Sequence, residues 1–179
     1  MKLSRLRIIH GLIFFILTYI LCSFQTVVWY QVFGSLASPF LCFILFVYFG
    51  LDKEDWKSVI YCYSSIFIYS LFSYAALGIL MLTCLFNYIL LYIVKNRVYW
   101  PGAAYFTLIT GVSMTLFNVM YLVNSYLFEP HFSPFLIWDR LFQILSTTLI
   151  AYYTYPVIKR LDILFKPEMP SEVHGELNG

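Results

Sequence analysis

The side chains that could do chemistry are concentrated in one short stretch of the last third of the chain. Glu129 and His131 stand beside prolines, and Asp139 and Arg140 follow a few residues later. On a helix these last two neighbours point about 100° apart, so they do not automatically pair with each other. They suit an interfacial pair reaching toward lipid headgroups, and they also suit contact with a partner protein or with another helix. The sequence makes Asp139, Arg140 and Glu129 candidate partner-binding residues.

Elsewhere the sequence lacks the residue spacings that catalysis needs. It contains no HExxH, GxSxG, CxxC or P-loop pattern, and its three histidines are far apart. Four cysteines recur about every twenty residues inside apolar segments: Cys22, Cys42, Cys62 and Cys84. This spacing invites a metal interpretation, but without a histidine cluster small buried apolar side chains explain them better. We therefore predict a protein that is not an enzyme and that carries no metal or cofactor.

Composition indicates that most of the chain lies in a membrane. Hydrophobic residues make up 61% of the 179 residues and charged ones 11%, against roughly 25% charged in an ordinary soluble domain. So few charges could not cover a soluble surface. We expect an all-α protein with a single membrane domain over residues 1–166, which leaves no room for a soluble catalytic domain.

Charge-free segments determine the number of predicted helices. No Asp, Glu, Lys or Arg occurs from Ile8 to Leu51, and one helix of that length would measure roughly 65 Å, about twice the hydrocarbon thickness. It must fold back, and Gly34 to Pro39 carries the turn signals. The same argument divides Ser58–Val94 near residues 73–78. Six transmembrane helices result, at about 8–30, 38–51, 57–73, 76–94, 100–126 and 135–158.

The two termini are predicted to lie in the cytoplasm. The apolar run from residue 8 to 30 is much longer than the roughly 7–15 residues of a signal-peptide core, so it is interpreted as a retained span. With six spans, ten of the eleven lysines and arginines fall on the cytoplasmic side and only Arg140 lies toward the outside, as the positive-inside rule requires. The proline-interrupted tail at 167–179 is predicted to be disordered, with a tail helix as the alternative.

The predicted fifth span carries a stripe of small residues. They are spaced by four, which places them on one helical face: Ala103, Thr107, Gly111 and Thr115. Such a stripe lets a neighbouring helix approach closely, either within the bundle or from a partner protein. Three amides inside the spans should also prefer the bundle interior to lipid: Asn87, Asn118 and Asn124.

Three stretches resemble the rod shape-determining protein MreD family. The proline-led segment Ser38–Leu51 ends in Gly-Leu before a charged loop, as the second span of that family does. Ser70–Gly78 is similar to the family's Asp-Leu-Leu-Ser-Gly-Ser-Pro-Leu-Gly stretch, and Asp139-Arg140-Leu141 followed by Tyr155–Arg160 is similar to its last span. The resemblance covers about residues 35–166. The chain departs from the family where acidic, glycine or proline residues are usual: Phe40, Ser70, Tyr74 and Ala76.

The resemblance implies a six-helix bundle similar to the substrate-binding subunits of energy-coupling-factor vitamin transporters. It implies a bacterial inner-membrane scaffold of cell-wall elongation that binds the single-span periplasmic protein MreC and helps couple the actin-like filament MreB to peptidoglycan synthases. The alternative on the same fold is a vitamin-binding transporter subunit. Such a subunit would dock its energising partner through small residues in the first span, where Leu12–Leu17 is bulky here, so the scaffold is favoured.

Overall fold

The computed structural model describes residues 2–52, 55–73, 75–97, 102–129 and 136–165, and these residues form helices and no strand. In chain order the elements are α1 (Lys2–Ser23), a π-helical turn (Phe24–Val28), α2 (Trp29–Phe33), α3 (Leu41–Asp52), α4 (Asp55–Phe72), α5 (Leu77–Arg97), α6 (Ala103–Phe128) and α7 (Ile137–Phe165). The polar loop at 130–135 and the tail at 167–179, both singled out in the sequence, lie outside the described residues.

Four helical segments are long and apolar enough to cross a membrane, judged by length and composition: Gly11–Phe33, Leu77–Arg97, Ala103–Phe128 and Ile137–Leu164. The chain is therefore a multi-pass membrane protein. The other two predicted spans correspond to α3, which has only 12 residues, and to α4, whose 18 residues include several serines and tyrosines. The predicted all-α class is confirmed, and four of the six predicted spans correspond to helices that are long and apolar enough to cross a membrane.

The central element of the bundle is the short helix α3. Every residue from Phe40 to Phe49 is at most 8% exposed, as expected for a helix that is apolar on all sides. Around α3 the other helices form an arc in the order α1, α4, α5, α6, α7, and each of them also contacts α3. Within the described residues, α1 and α7 form no extended contact with each other, so the arc is open between them.

The second predicted span begins differently from its expected form. The sequence placed Pro39 in the first turn of a helix over 38–51, whereas α3 begins at Leu41 and residues 37–40 are non-helical. Twelve helical residues measure only about 18 Å, which is short of the roughly 30 Å of a hydrocarbon core. Four non-helical residues reach at most about 14 Å. Together the helix and its lead-in reach about 32 Å.

The last helix continues beyond its predicted end. The sequence closed the sixth span near residue 158, after Pro156, but α7 runs through this proline to Phe165. The end of α7 is packed against the bundle: Ile158, the last residue of the predicted span, is 6% exposed, and Asp162 in the added turns is 5% exposed. Tyr48 of α3 donates a hydrogen bond to Asp162 Oδ2 at 3.1 Å. This contact holds the end of α7 against the central helix.

Gly50 permits the close approach of α3 to α5. A Cβ atom at Gly50 would lie 2.6 Å from Leu91 Cδ1 and 3.3 Å from Leu91 Cβ, and Leu91 is fully buried. We expect Gly50→Ala to destabilise the protein by about 1–3 kcal/mol because the core would be overpacked. The measurement is the apparent melting temperature in detergent.

The matched control for this substitution is Gly78→Ala. No atom lies within 4 Å of the Cβ position at Gly78, which is near the start of α5. Its melting temperature should stay the same or rise slightly, because alanine favours a helix over glycine by about 0.5–1 kcal/mol. Equal losses for the two variants would contradict the close-approach argument.

Candidate functional site

The non-helical lead-in to α3 is the most constrained backbone in the bundle. Ser38, Pro39 and Phe40 are buried, and backbone polar groups away from water require hydrogen-bond partners. Pro39 has no N–H to satisfy, and its carbonyl accepts a hydrogen bond from Leu41 N at 3.0 Å. Phe40 N donates to Thr147 Oγ1 of α7 at 2.8 Å. A side chain of α7 thus does what a preceding helical turn would normally do.

Gln143 and Arg140 extend this support toward the end of α7. Gln143 Nε2 donates to the carbonyl of Ser38 at 3.1 Å, while its Oε1 accepts a hydrogen bond from Arg140 Nη1 at 3.2 Å. The Arg140 guanidinium also lies over the ring of Tyr121, 5.9 Å from its centroid, which is a cation–π distance. Arg140 therefore positions the amide that holds the lead-in, a role that the sequence did not reveal.

The three candidate partner-binding residues occupy different environments. Asp139 is exposed in the first turn of α7, where a negative charge is favourable beside the helix dipole. Arg140, its neighbour, is half-buried and directed toward Gln143 and Tyr121, consistent with the expected divergence of the two side chains. Glu129 ends α6, and its N–H donates to the carbonyl of Ser125 at 2.9 Å. Partner binding by these residues stays a prediction.

The predicted small-residue stripe follows α6 beside α7. A Cβ atom at Gly111 would lie 3.2 Å from Thr148 Oγ1 of α7, so the two helices approach closely here. Ala103 and Thr107 are half-buried, and Thr115 is exposed. The hydroxyls of Thr107 and Thr115 donate to the carbonyls of Ala103 and Gly111 in their own helix. Gly111 of the stripe thus lies at the α6–α7 contact. Thr115 lines an open groove beside it.

The three amides predicted to lie in the interior are all buried. Asn87 is fully buried, and Asn118 and Asn124 are each 5% exposed. Asn124 Nδ2 donates to Thr83 Oγ1 at 3.0 Å and so joins α6 to α5. Asn87 and Asn118 donate to backbone carbonyls one turn earlier in their own helices. Asn124 thus bonds between helices, while the other two amides bond within their own helices.

A second polar contact lies at the opposite end of α3. The Tyr48 hydroxyl is 3.1 Å from Asp162 Oδ2 and 3.4 Å from Asp52 Oδ2, so two carboxylates from α3 and α7 share one hydroxyl. The sequence analysis missed this contact because Asp162 was placed beyond the sixth span. Its spacing of four from Ile158 was the signal that could have shown the helix continuing inward.

The four cysteines are all buried, as the sequence predicted. Two of them meet: the sulfur atoms of Cys22 in α1 and Cys42 in α3 are in contact, and their Cα atoms are 5.9 Å apart. Cys62 and Cys84 are free thiols. In the part of the chain that the structure describes, no group of three or more His, Cys, Asp or Glu side chains could hold a metal ion.

No protein-family model matches this chain, and no curated protein or solved structure is significantly similar to it. Its class is defined by its own fold: a multi-pass α-helical membrane protein built around a short, fully buried helix.

The hydrogen bond from Phe40 to Thr147 can be tested with an isosteric substitution. Thr147→Val keeps the volume but leaves the buried Phe40 N–H without its acceptor, which should cost about 1–3 kcal/mol. We expect a lower apparent melting temperature in detergent. Thr154→Val is the control, because the Thr154 hydroxyl donates only to carbonyls of its own helix. Matching melting curves for the two variants would contradict the role of Thr147.

Proposed function

We propose that this chain is a non-enzymatic scaffold of the bacterial inner membrane that binds the transmembrane helix of a single-span partner. The partner class follows from the resemblance to the MreD family, which favours a periplasmic protein of MreC type within the cell-wall elongation machinery. Through it the scaffold would be linked to the actin-like filament MreB and to peptidoglycan synthases. The observation that carries the proposal is the open side of the helix arc, between α1 and α7.

The proposed topology has six spans with both termini in the cytoplasm. In it α4 crosses the membrane as well as the four long helices, and α3 crosses together with its non-helical lead-in. The bundle supports this arrangement because a helix as deeply buried as α3 needs neighbours along its whole length, and α4 is one of them. The arrangement also keeps the basic residues at one end, as the positive-inside rule favours.

The open side is apolar along α7. Thr148 faces α6, and Thr147 and Ala151 are fully buried or nearly so toward α3. The helical repeat of 100° per residue places the next flank of α7 at Ile150, Tyr153 and Val157. Tyr153 is 67% exposed and Val157 is 56% exposed. A partner helix lying along this flank would contact α7 on one side and α1 on the other.

Interior polar groups support a scaffold rather than a reaction centre. The hydroxyls of Thr18, Thr83 and Thr110 donate to carbonyls of their own helices, at 2.8 Å each. Bonding of this kind satisfies each hydroxyl within its own helix. What the helices then offer to other molecules is their outer apolar surface, where association depends on close packing between helices.

The topology can be tested by labelling introduced cysteines with a membrane-impermeant maleimide in intact spheroplasts. Ser35→Cys lies at the tip of the first hairpin and should react from outside. Lys57→Cys, near the start of α4, should react only after the membrane is opened. A background in which the four natural cysteines are alanine removes other signals. Equal labelling of the two positions from outside would contradict the crossing of the lead-in and α3.

The binding surface can be tested by photo-cross-linking to a co-expressed single-span partner of MreC type. Tyr153→p-benzoylphenylalanine and Val157→p-benzoylphenylalanine should give cross-links, because they lie on the open flank. The same probe at Leu145 or Tyr152, which are 69% and 48% exposed on another face of α7, is the matched control. We expect at least a several-fold higher yield from the flank positions.

Two outcomes would overturn the proposed function. Equal cross-linking from both faces of α7 would mean that the open flank is not a binding surface. Co-purification in mild detergent with only the ATP-binding subunits of a transporter, together with retention of a vitamin-like ligand, would favour the transporter subunit instead.

A further inference from the structure

The contact between Cys22 and Cys42 joins two helices that are separate in sequence. Cys22 is the second-to-last residue of α1, and Cys42 is the second residue of α3. Both side chains are 0% exposed, and their Cα separation of 5.9 Å lies within the 4.4–6.8 Å range that a disulfide requires. The two residues can therefore be bridged without moving the backbone.

The other two cysteines provide an internal comparison. Cys62 and Cys84 are as deeply buried as the first pair, yet they are free thiols. The Cys62 thiol donates to the carbonyl of Phe46 at 3.3 Å, and the Cys42 sulfur also lies 3.8 Å from the carbonyl of Thr18. Burial of small apolar side chains alone thus accounts for Cys62 and Cys84 but does not require the direct sulfur contact seen between Cys22 and Cys42.

In the segment between the paired cysteines, Ser38 and Phe40 are bonded to α7, whereas residues 24–36 have little attachment to the bundle. These residues include the π-helical turn, of which only Gln25 is buried, and α2, which has no buried residue. Its hairpin is closed by local hydrogen bonds, from Trp29 Nε1 to the carbonyl of Leu36 at 3.0 Å and from Gly34 N to the carbonyl of Tyr30 at 3.0 Å. These bonds shape the hairpin but do not tie it to α3.

We propose that Cys22 and Cys42 form a structural disulfide that fixes this hairpin, residues 24–36, to the central helix. The reaction is thiol–disulfide exchange with an external disulfide. The thiolate of one cysteine attacks it and expels one thiolate, and the second cysteine then attacks the mixed disulfide and expels the other. Two protein thiols are oxidised, and the external disulfide is reduced to two thiols. This inference is independent of the proposed scaffold function.

Burial determines when the bond forms. Neither sulfur is reachable once α1 and α3 are packed, so exchange precedes packing during membrane insertion. The finished bond is equally shielded from reductants. It therefore acts as a permanent link rather than a reversible switch, and native membranes treated with a water-soluble phosphine should retain it until the protein is denatured.

The test counts thiols in the full-length protein. Membranes are quenched in acid, denatured in dodecyl sulfate and treated with a maleimide that carries a polyethylene glycol chain, with or without prior reduction. Of the four cysteines, two should react without reduction and all four after it. The Cys62→Ala/Cys84→Ala variant should show none and then two, and Cys22→Ala should show three in both conditions.

Either of two results would overturn the proposal. Four additions to the unreduced natural protein would show that the thiols are free. Two additions to unreduced Cys62→Ala/Cys84→Ala would show that any bond in the natural protein involves Cys62 or Cys84. Limited proteolysis adds a second measurement that does not depend on folding of a variant: cleavage between residues 30 and 36 should increase on reduction after mild unfolding. In the Cys22→Ala protein, reduction should leave that cleavage unchanged.

Discussion

The structure depends on the hydrogen bond from the Phe40 backbone to Thr147. The central helix of 12 residues is preceded by buried, non-helical backbone, and such backbone is tolerated inside an apolar bundle only where its polar groups are bonded. Pro39 removes one donor, Thr147 accepts another, and Gln143 bonds to a carbonyl. Because these partners belong to α7, the position of the central helix is fixed by the last helix of the chain.

Because α7 holds α3 in this way, its two sides differ in composition. One side of the helix carries the polar and small residues that hold α3, ending with the contact between Tyr48 and Asp162. The remaining surface is apolar and exposed, and only 17% of the most apolar part of the helix is buried. Close contact with α6 at Gly111 fixes its rotation. Because the rotation of α7 is fixed, the same apolar side chains stay exposed on its other side.

The sequence predicted the order of the helices because charge-free runs longer than a bilayer must fold back, and Gly34, Ser38 and Pro39 are strong turn signals. It did not predict where α3 begins, since Pro39 suits a helical first turn as well as a non-helical lead-in. The distinction depends on Gln143 and Thr147, about a hundred residues away. Arg140 was recognised as unusual, but its attachment to Gln143 needed the fold. The pairing of Cys22 with Cys42 also required the packing of α1 on α3.

Placement of the polar groups favours surface recognition over chemistry inside the bundle. Asn124 and Thr83 bond to each other across α5 and α6, and the lead-in uses Gln143 and Thr147, so these interior groups already have structural partners. Removing one of them would leave its partner unsatisfied, which ties them to the fold. The face between α1 and α7 takes no part in these hydrogen bonds. Its apolar side chains are the part of the chain that can bind a partner helix without disturbing α3.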